Sequence, residues 1–248
     1  MRVLNIDMQL VTFGASYCFG HAPSNNQLHT IEAHHSRSYV HHLVNSIDAF
    51  DSYLNLSHAG AGCETVLWLL NSWIESYNAD HPAFVLIEWP PEVRHDHYDI
   101  DNNTYDGAPT RVRVHHRWRA EHIILSAIKL LQDQHIRYCM TASVTNYQQG
   151  GDMITSTGRR TAQGTWRPIT ANTNWLMSDC VNSTLFDVLT GTVDDHTLHT
   201  HTVDQDYFER QHQLNPHMIT PCYHPTDEGH RVIAERLKPY IQRCVNGL

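Results

Sequence analysis

Ser16 and His224 are the residues whose types and settings could carry covalent chemistry. Ser16 follows Gly14 and Ala15 at the end of an apolar run that includes Val3, Leu4, Ile6, Leu10, Val11 and Phe13. Two small residues before a serine suit a sharp strand-to-loop turn that holds the hydroxyl out at the carboxyl end of a sheet, where open α/β folds place their ligand sites. Serine is a weak nucleophile without a base within hydrogen-bond reach. His224 lies in the stretch Cys222–His230, where Thr226 is placed to cap the last helix and Asp227 and Glu228 suit its first turn. That leaves His224 on a loop beside the stiff Pro225, where a histidine can face the sheet end as a general base. The glycine-bearing loop Asn55–Gly62 should reach the same end and could point amides at an oxyanion. Asp227 and His230 share an Asp-x-x-His spacing and form an alternative acid/base pair, although Asp227 is more simply a helix-start charge. Trp89 and Arg94 either line the substrate cleft or serve as a core aromatic and a surface ion-pair partner.

The elements that must position these residues follow from apolar periodicity. Strands are predicted over 2–13, 52–56, 83–89 and 136–142, and helices over 36–50, 63–77, 118–134 and 226–244, with a further helix near 174–180 and a short apolar stretch at 185–189. The run 83–89 is almost continuously apolar, as in a strand covered on both faces. This alternation implies an α/β fold, a three-layer α/β/α sandwich around a parallel sheet of about five strands. The whole chain, 1–248, reads as a single domain with polar excursions at about 95–116 and 147–172, the first a candidate lid.

Bulk properties narrow the function. The chain has 248 residues, is 41% hydrophobic and carries a formal net charge of −9, which suits a sizeable core and argues against a nucleic-acid surface. Six cysteines show no CxxC pair, so free thiols are expected. Cys18, Cys63 and Cys222 each lie near a candidate site position and raise a metal site, but small apolar cysteines lining a cleft explain them more simply. No metal and no cofactor is expected. The 21 histidines read as a compositional bias of a solvated surface, with metal binding by the tract 194–206 a weaker idea. No leader and no membrane-spanning run is seen, so a cytoplasmic or virion-associated location is expected.

Taken in order, Gly14-Ala15-Ser16, Asn55 with Gly60, and His224-Pro225 with Gly229-His230 resemble the SGNH (GDSL-type) hydrolase superfamily, and the segment Val85–Trp89 with Arg94 resembles a branch common in phages and marine bacteria. The resemblance runs from residue 3 to about 243. It implies the flavodoxin-like SGNH arrangement, with Ser16 as nucleophile, His224 as base, and the amides of Ser16 and Gly60 as oxyanion donors. Asn55, Trp89 and Arg94 would fall near the substrate. The implied activity is hydrolysis of an acyl or acetyl ester of a carbohydrate or small molecule. The chain departs from the pattern at Ala15 and Pro221, where acids are usual, and has no asparagine between Glu88 and Arg94. These departures motivate a second reading, an SGNH-fold binding or structural protein such as a virion component, with assembly partners the sequence does not name.

Overall fold

The computed structural model describes residues 8–20, 31–90, 94–99, 104–109, 113–143, 153–154, 160–161, 184–190 and 205–246. Its elements are β1 (Met8–Phe13), α1 (Ser16–Phe19), α2 (Ile31–His35), α3 (Tyr39–Val44), β2 (Phe50–Asn55), α4 (Cys63–Ser76), β3 (Ala83–Trp89), β4 (Arg94–Asp99), β5 (Thr104–Pro109), α5 (Arg113–Asp133), β6 (Arg137–Ala142), β7 (Met153–Ile154), β8 (Arg160–Thr161), α6 (Leu185–Thr190), α7 (Gln205–Leu214) and α8 (Asp227–Asn246). Four strands form a sheet in the order β2-β1-β3-β6, every pair parallel. The chain leaves β1 on one side to make β2 and on the other to make β3. Strand order therefore reverses at β1, and a crevice is expected at its carboxyl end.

Side-chain alternation divides the core into two layers. Leu10, Phe84 and Leu86 face a cluster containing Tyr39 and Leu43 of α3 and Ile233 and Leu237 of α8. Val11, Phe13, Val85, Ile87 and Trp89 face the opposite cluster, with Val66 and Leu70 of α4 and Ile124 and Leu131 of α5. All seven residues of β3 are buried, as the apolar run 83–89 predicts. The α/β/α sandwich is therefore present, with four strands in its sheet among the described residues rather than about five.

Other differences have local causes. The periodic stretch 36–50 yields only α3, capped by the Ser38 hydroxyl accepting the Val40 N–H; Ile47 and Phe50 continue the apolar pattern because they enter the same core from a turn and from β2. The excursion 95–116 contains the antiparallel ribbon β4–β5 and the start of α5. That ribbon lies in a separate sheet, so the main core imposes no period-2 pattern on its sequence. Helices α2 and α7 are not foreshadowed by the periodicity. Within 147–172 only the short pair β7–β8 is described, and the predicted helix near 174–180 and most of the histidine tract 194–206 lie outside the described residues. Among the described residues no helix is long and apolar enough to cross a membrane.

Candidate active site

Ser16 is the first residue of α1, directly above the carboxyl end of β1. The turn is tight because Gly14 has no side chain: a Cβ there would lie 2.8 Å from Glu88 Cβ and 2.9 Å from Cys18 Cβ. Neither atom is the far end of a flexible chain, so the backbone would have to yield. Gly14→Ala is expected to destabilise the protein by about 1–3 kcal/mol, a typical overpacking cost, and to displace Ser16. Urea denaturation of wild type and variant checks it; an unchanged midpoint would show that the turn has slack.

Ser16 is only 5% exposed. Its hydroxyl makes no hydrogen bond to any described residue, and its amide, as the first of a helix, has no acceptor among them either. A second such amide lies in the loop after β2. That loop stays zipped to the Ser16 turn, the Leu56 N–H donating to Thr12 O at 2.9 Å and the His58 N–H to Gly14 O at 3.0 Å. The Ala61 N–H closes a turn on His58 O, with Gly60 in the left-handed region at φ +86°. Nothing would touch a Cβ at 60, so glycine is needed there for conformation and not for space. The Gly60 amide has no acceptor among the described residues. Asn55 braces this arrangement. Its Nδ2 donates to Cys18 O at 2.8 Å and its Oδ1 accepts the Ser57 N–H at 3.1 Å. At 7% exposure it is as enclosed as Ser16 and braces the loop from inside the fold.

The loop before α8 is brought to the same place. The Tyr17 hydroxyl donates to Tyr223 O at 2.7 Å, and the Tyr17 ring lies 5.9 Å from the His224 ring. Thr220 clamps the loop: its N–H donates to His224 O at 2.8 Å, and its Oγ1 accepts the His224 N–H at 3.1 Å. Tyr223 adopts a positive φ of 66° within this tight turn. Thr226 caps α8 as predicted, accepting the Gly229 N–H at 3.1 Å. Half-buried His224 therefore sits on a fixed loop stapled to the residue after Ser16. The Ser16 hydroxyl and the His224 imidazole are not hydrogen-bonded to each other; a general base often reaches its partner only once substrate is bound.

Under the Ser16 turn lies a polar layer. Cys18, Tyr39, Thr12 and Glu88 are each fully buried on the α3/α8 side of the sheet. Burial and then the Glu88 carboxylate push the Cys18 thiol up to about 12, against the pull of the Ser57, Thr12 and Tyr39 hydroxyls. Cys18 thus stays a thiol at neutral pH. Burial and then Cys18 and Glu88 hold the Tyr39 hydroxyl well above the usual phenol range.

The remaining sequence-derived candidates fall elsewhere. Trp89 is fully buried in the α4/α5 layer, so it does not line a cleft; strand alternation points it away from Glu88. Arg94 begins the β4–β5 ribbon. Asp227 and His230 are not brought together as an acid/base pair. Asp227 is exposed in the first turn of α8, whereas His230 is fully buried and stacked on Tyr39. Cys18 and Cys63 belong to opposite core layers and Cys222 is exposed. No metal-ligand cluster occurs among the described residues. Sequence reasoning missed Tyr17 and Thr220, which carry no signal of their own. It also assigned no role to Glu88, although a lone carboxylate inside the apolar run 83–89 is itself a signal.

No family profile and no curated protein matches the sequence. Solved structures do. A psychrotrophic esterase from a Pseudoalteromonas species superposes with a TM-score of 0.51 at 13% identity, over 97% of this chain and 100% of that one. The fold is that of the G-D-S-L lipolytic proteins. A protein described as lipolytic and of the G-D-S-L family, from Desulfitobacterium hafniense, gives 0.50 at 12% identity over 94% and 99% of the two chains. An acetyl xylan esterase from the rumen bacterium Butyrivibrio proteoclasticus gives 0.52 at 9% identity, covering 97% of this chain and 65% of that one.

Proposed function

We propose that this protein is an SGNH-type serine ester hydrolase acting on an acyl or acetyl ester of a carbohydrate or other small molecule. The observation that carries the reading is the convergence of three loops at the carboxyl end of β1: the Ser16 turn, the Gly60 loop zipped to it, and the His224 loop stapled to it through Tyr17 and Tyr223. His224 takes the proton of the Ser16 hydroxyl as Oγ attacks the ester carbonyl. The tetrahedral oxyanion accepts hydrogen bonds from the amides of Ser16 and Gly60. Its collapse breaks the bond to the alcohol, which leaves with the proton held by His224. Water, deprotonated by the same imidazole, then releases the acid and restores Ser16.

Support also comes from the fold neighbours. The Pseudoalteromonas protein is an esterase whose structure is described as inhibited by monoethylphosphonate, and the Butyrivibrio protein is an acetyl xylan esterase. Labelling with a fluorophosphonate probe tests the reading. Wild type is expected to label, and Ser16→Ala and His224→Ala are each expected not to. A well-folded wild type that fails to label would favour the second reading, a non-catalytic binding or structural protein, which the Pro221 departure motivates.

A further inference from the structure

We propose that Glu88 is the positioning residue for the nucleophile: its buried carboxylate accepts the Cys18 N–H and so locks the one-turn helix that presents Ser16. This rests on the hydrolase reading for its consequence in turnover, but the structural claim stands on its own geometry.

Three observations converge on it. First, the residue before α1 is Ala15, and no side chain at that cap position bonds the helix. The helix therefore takes its acceptor from another strand, Glu88 Oε2 receiving the Cys18 N–H from β3. Second, the packing is built around that contact. A Cβ on Gly14 would lie 2.8 Å from Glu88 Cβ and 3.1 Å from Glu88 Oε2, so the stem and the carboxylate both occupy the space that glycine leaves. Third, Glu88 is fully buried at the end of an otherwise uncharged strand. Burying a carboxylate there is unfavourable unless it is bonded, and strand alternation alone would accept another apolar residue. The carboxylate has a directional task that leucine lacks. The Ser38 hydroxyl and Asn55 Nδ2 hold the other end of α1, both donating to Cys18 O, so Cys18 is gripped at its N–H and its carbonyl while Ser16 stands two residues before it.

Three variants separate position from charge. Glu88→Gln keeps an acceptor oxygen at the same reach and loses the charge. Glu88→Asp keeps the charge and withdraws it by one methylene. Glu88→Leu removes both. Two readouts are taken: kcat and KM for a short acyl ester, and hydrogen exchange of the Cys18 amide. Leu and Asp are expected to lower kcat about 30-fold or more with KM within about twofold, and to speed Cys18 exchange about 100-fold, whereas Gln is rescued to within about fivefold on both. If the leucine variant does not fold, the contrast between Gln and Asp carries the test. Wild-type-like exchange and kcat in Asp or Leu, or an active Asp beside an inactive Gln, would overturn the proposal. A wild type without esterase activity would sink the hydrolase reading alone, because the exchange contrast still decides whether Glu88 holds the turn.

Discussion

Replacing Ser16 with alanine is expected to lower turnover of a short acyl ester by about 10⁴-fold or more. The size follows from what is lost. Removing one oxyanion donor costs about 10²–10³, because the others still hold the developing charge. Removing the nucleophile abolishes the covalent route and leaves only binding and the oxyanion amides to assist water. The thiol two residues further on cannot stand in. The Cys18 thiol, raised to about 12, has a negligible thiolate fraction at neutral pH and is fully buried. The Ser16 hydroxyl makes no hydrogen bond to a described residue, so its loss orphans no described partner, and stability should change by no more than about 1 kcal/mol. Steady-state kinetics with a circular-dichroism check of folding is the measurement. Residual turnover within tenfold of wild type would show that another group attacks the ester.

The protein is also expected to lose stability steeply in mild acid through His230. This side chain is fully buried, its ring stacks on Tyr39 with centroids 6.4 Å apart, and neither ring nitrogen has a hydrogen-bond partner among the described residues. Burial, followed by His42 and His224, lowers its pKa from 6.5 to about 3. The unfolded chain therefore binds a proton at His230 before the folded one does. Its contribution is fully present above about pH 6.5 and falls away as the pH drops toward 3. Linkage puts the loss at about 2 kcal/mol by pH 5 and ~3 kcal/mol by pH 4, a large share of an ordinary folding free energy. Half-buried His35 and His42 are lowered in the same direction, each first by burial. Urea denaturation at pH 7 and pH 5 should show wild type losing about 2 kcal/mol more than His230→Leu. Equal losses in the two proteins would mean that His230 is protonated, or reached by water, in the folded state.

The two results share a cause that is only partly written along the chain. Strand β3 was legible because seven buried residues in a row leave an apolar run broken only by Glu88, and α4 because its apolar stripe recurs at the helix period. The Ser16 turn and the Thr226 cap were legible for a different reason: turn and cap chemistry is local, set by residues within three or four positions of each other. His230 shows the limit. It shares the Asp-x-x-His spacing with Asp227, and only the orientation of α8 against α3 decides that the imidazole is core and the carboxylate solvent-facing. Trp89 fails in the same manner, since a one-residue difference along β3 places it in the layer opposite Glu88.

The amino-acid sequence by itself determined the βα alternation, the tight turn at Ser16, the glycine loop at 60 and the histidine loop at 224, because each is encoded by neighbours in the chain. Only the tertiary structure decided how they work together. Glu88 meets the Cys18 amide across 70 residues and Tyr17 meets Tyr223 across 206, and contacts at such separations leave no period or motif behind. They exist because the parallel sheet carries the ends of β1 and β3 side by side and α8 packs over them, so that groups chosen separately along the chain become hydrogen-bond partners.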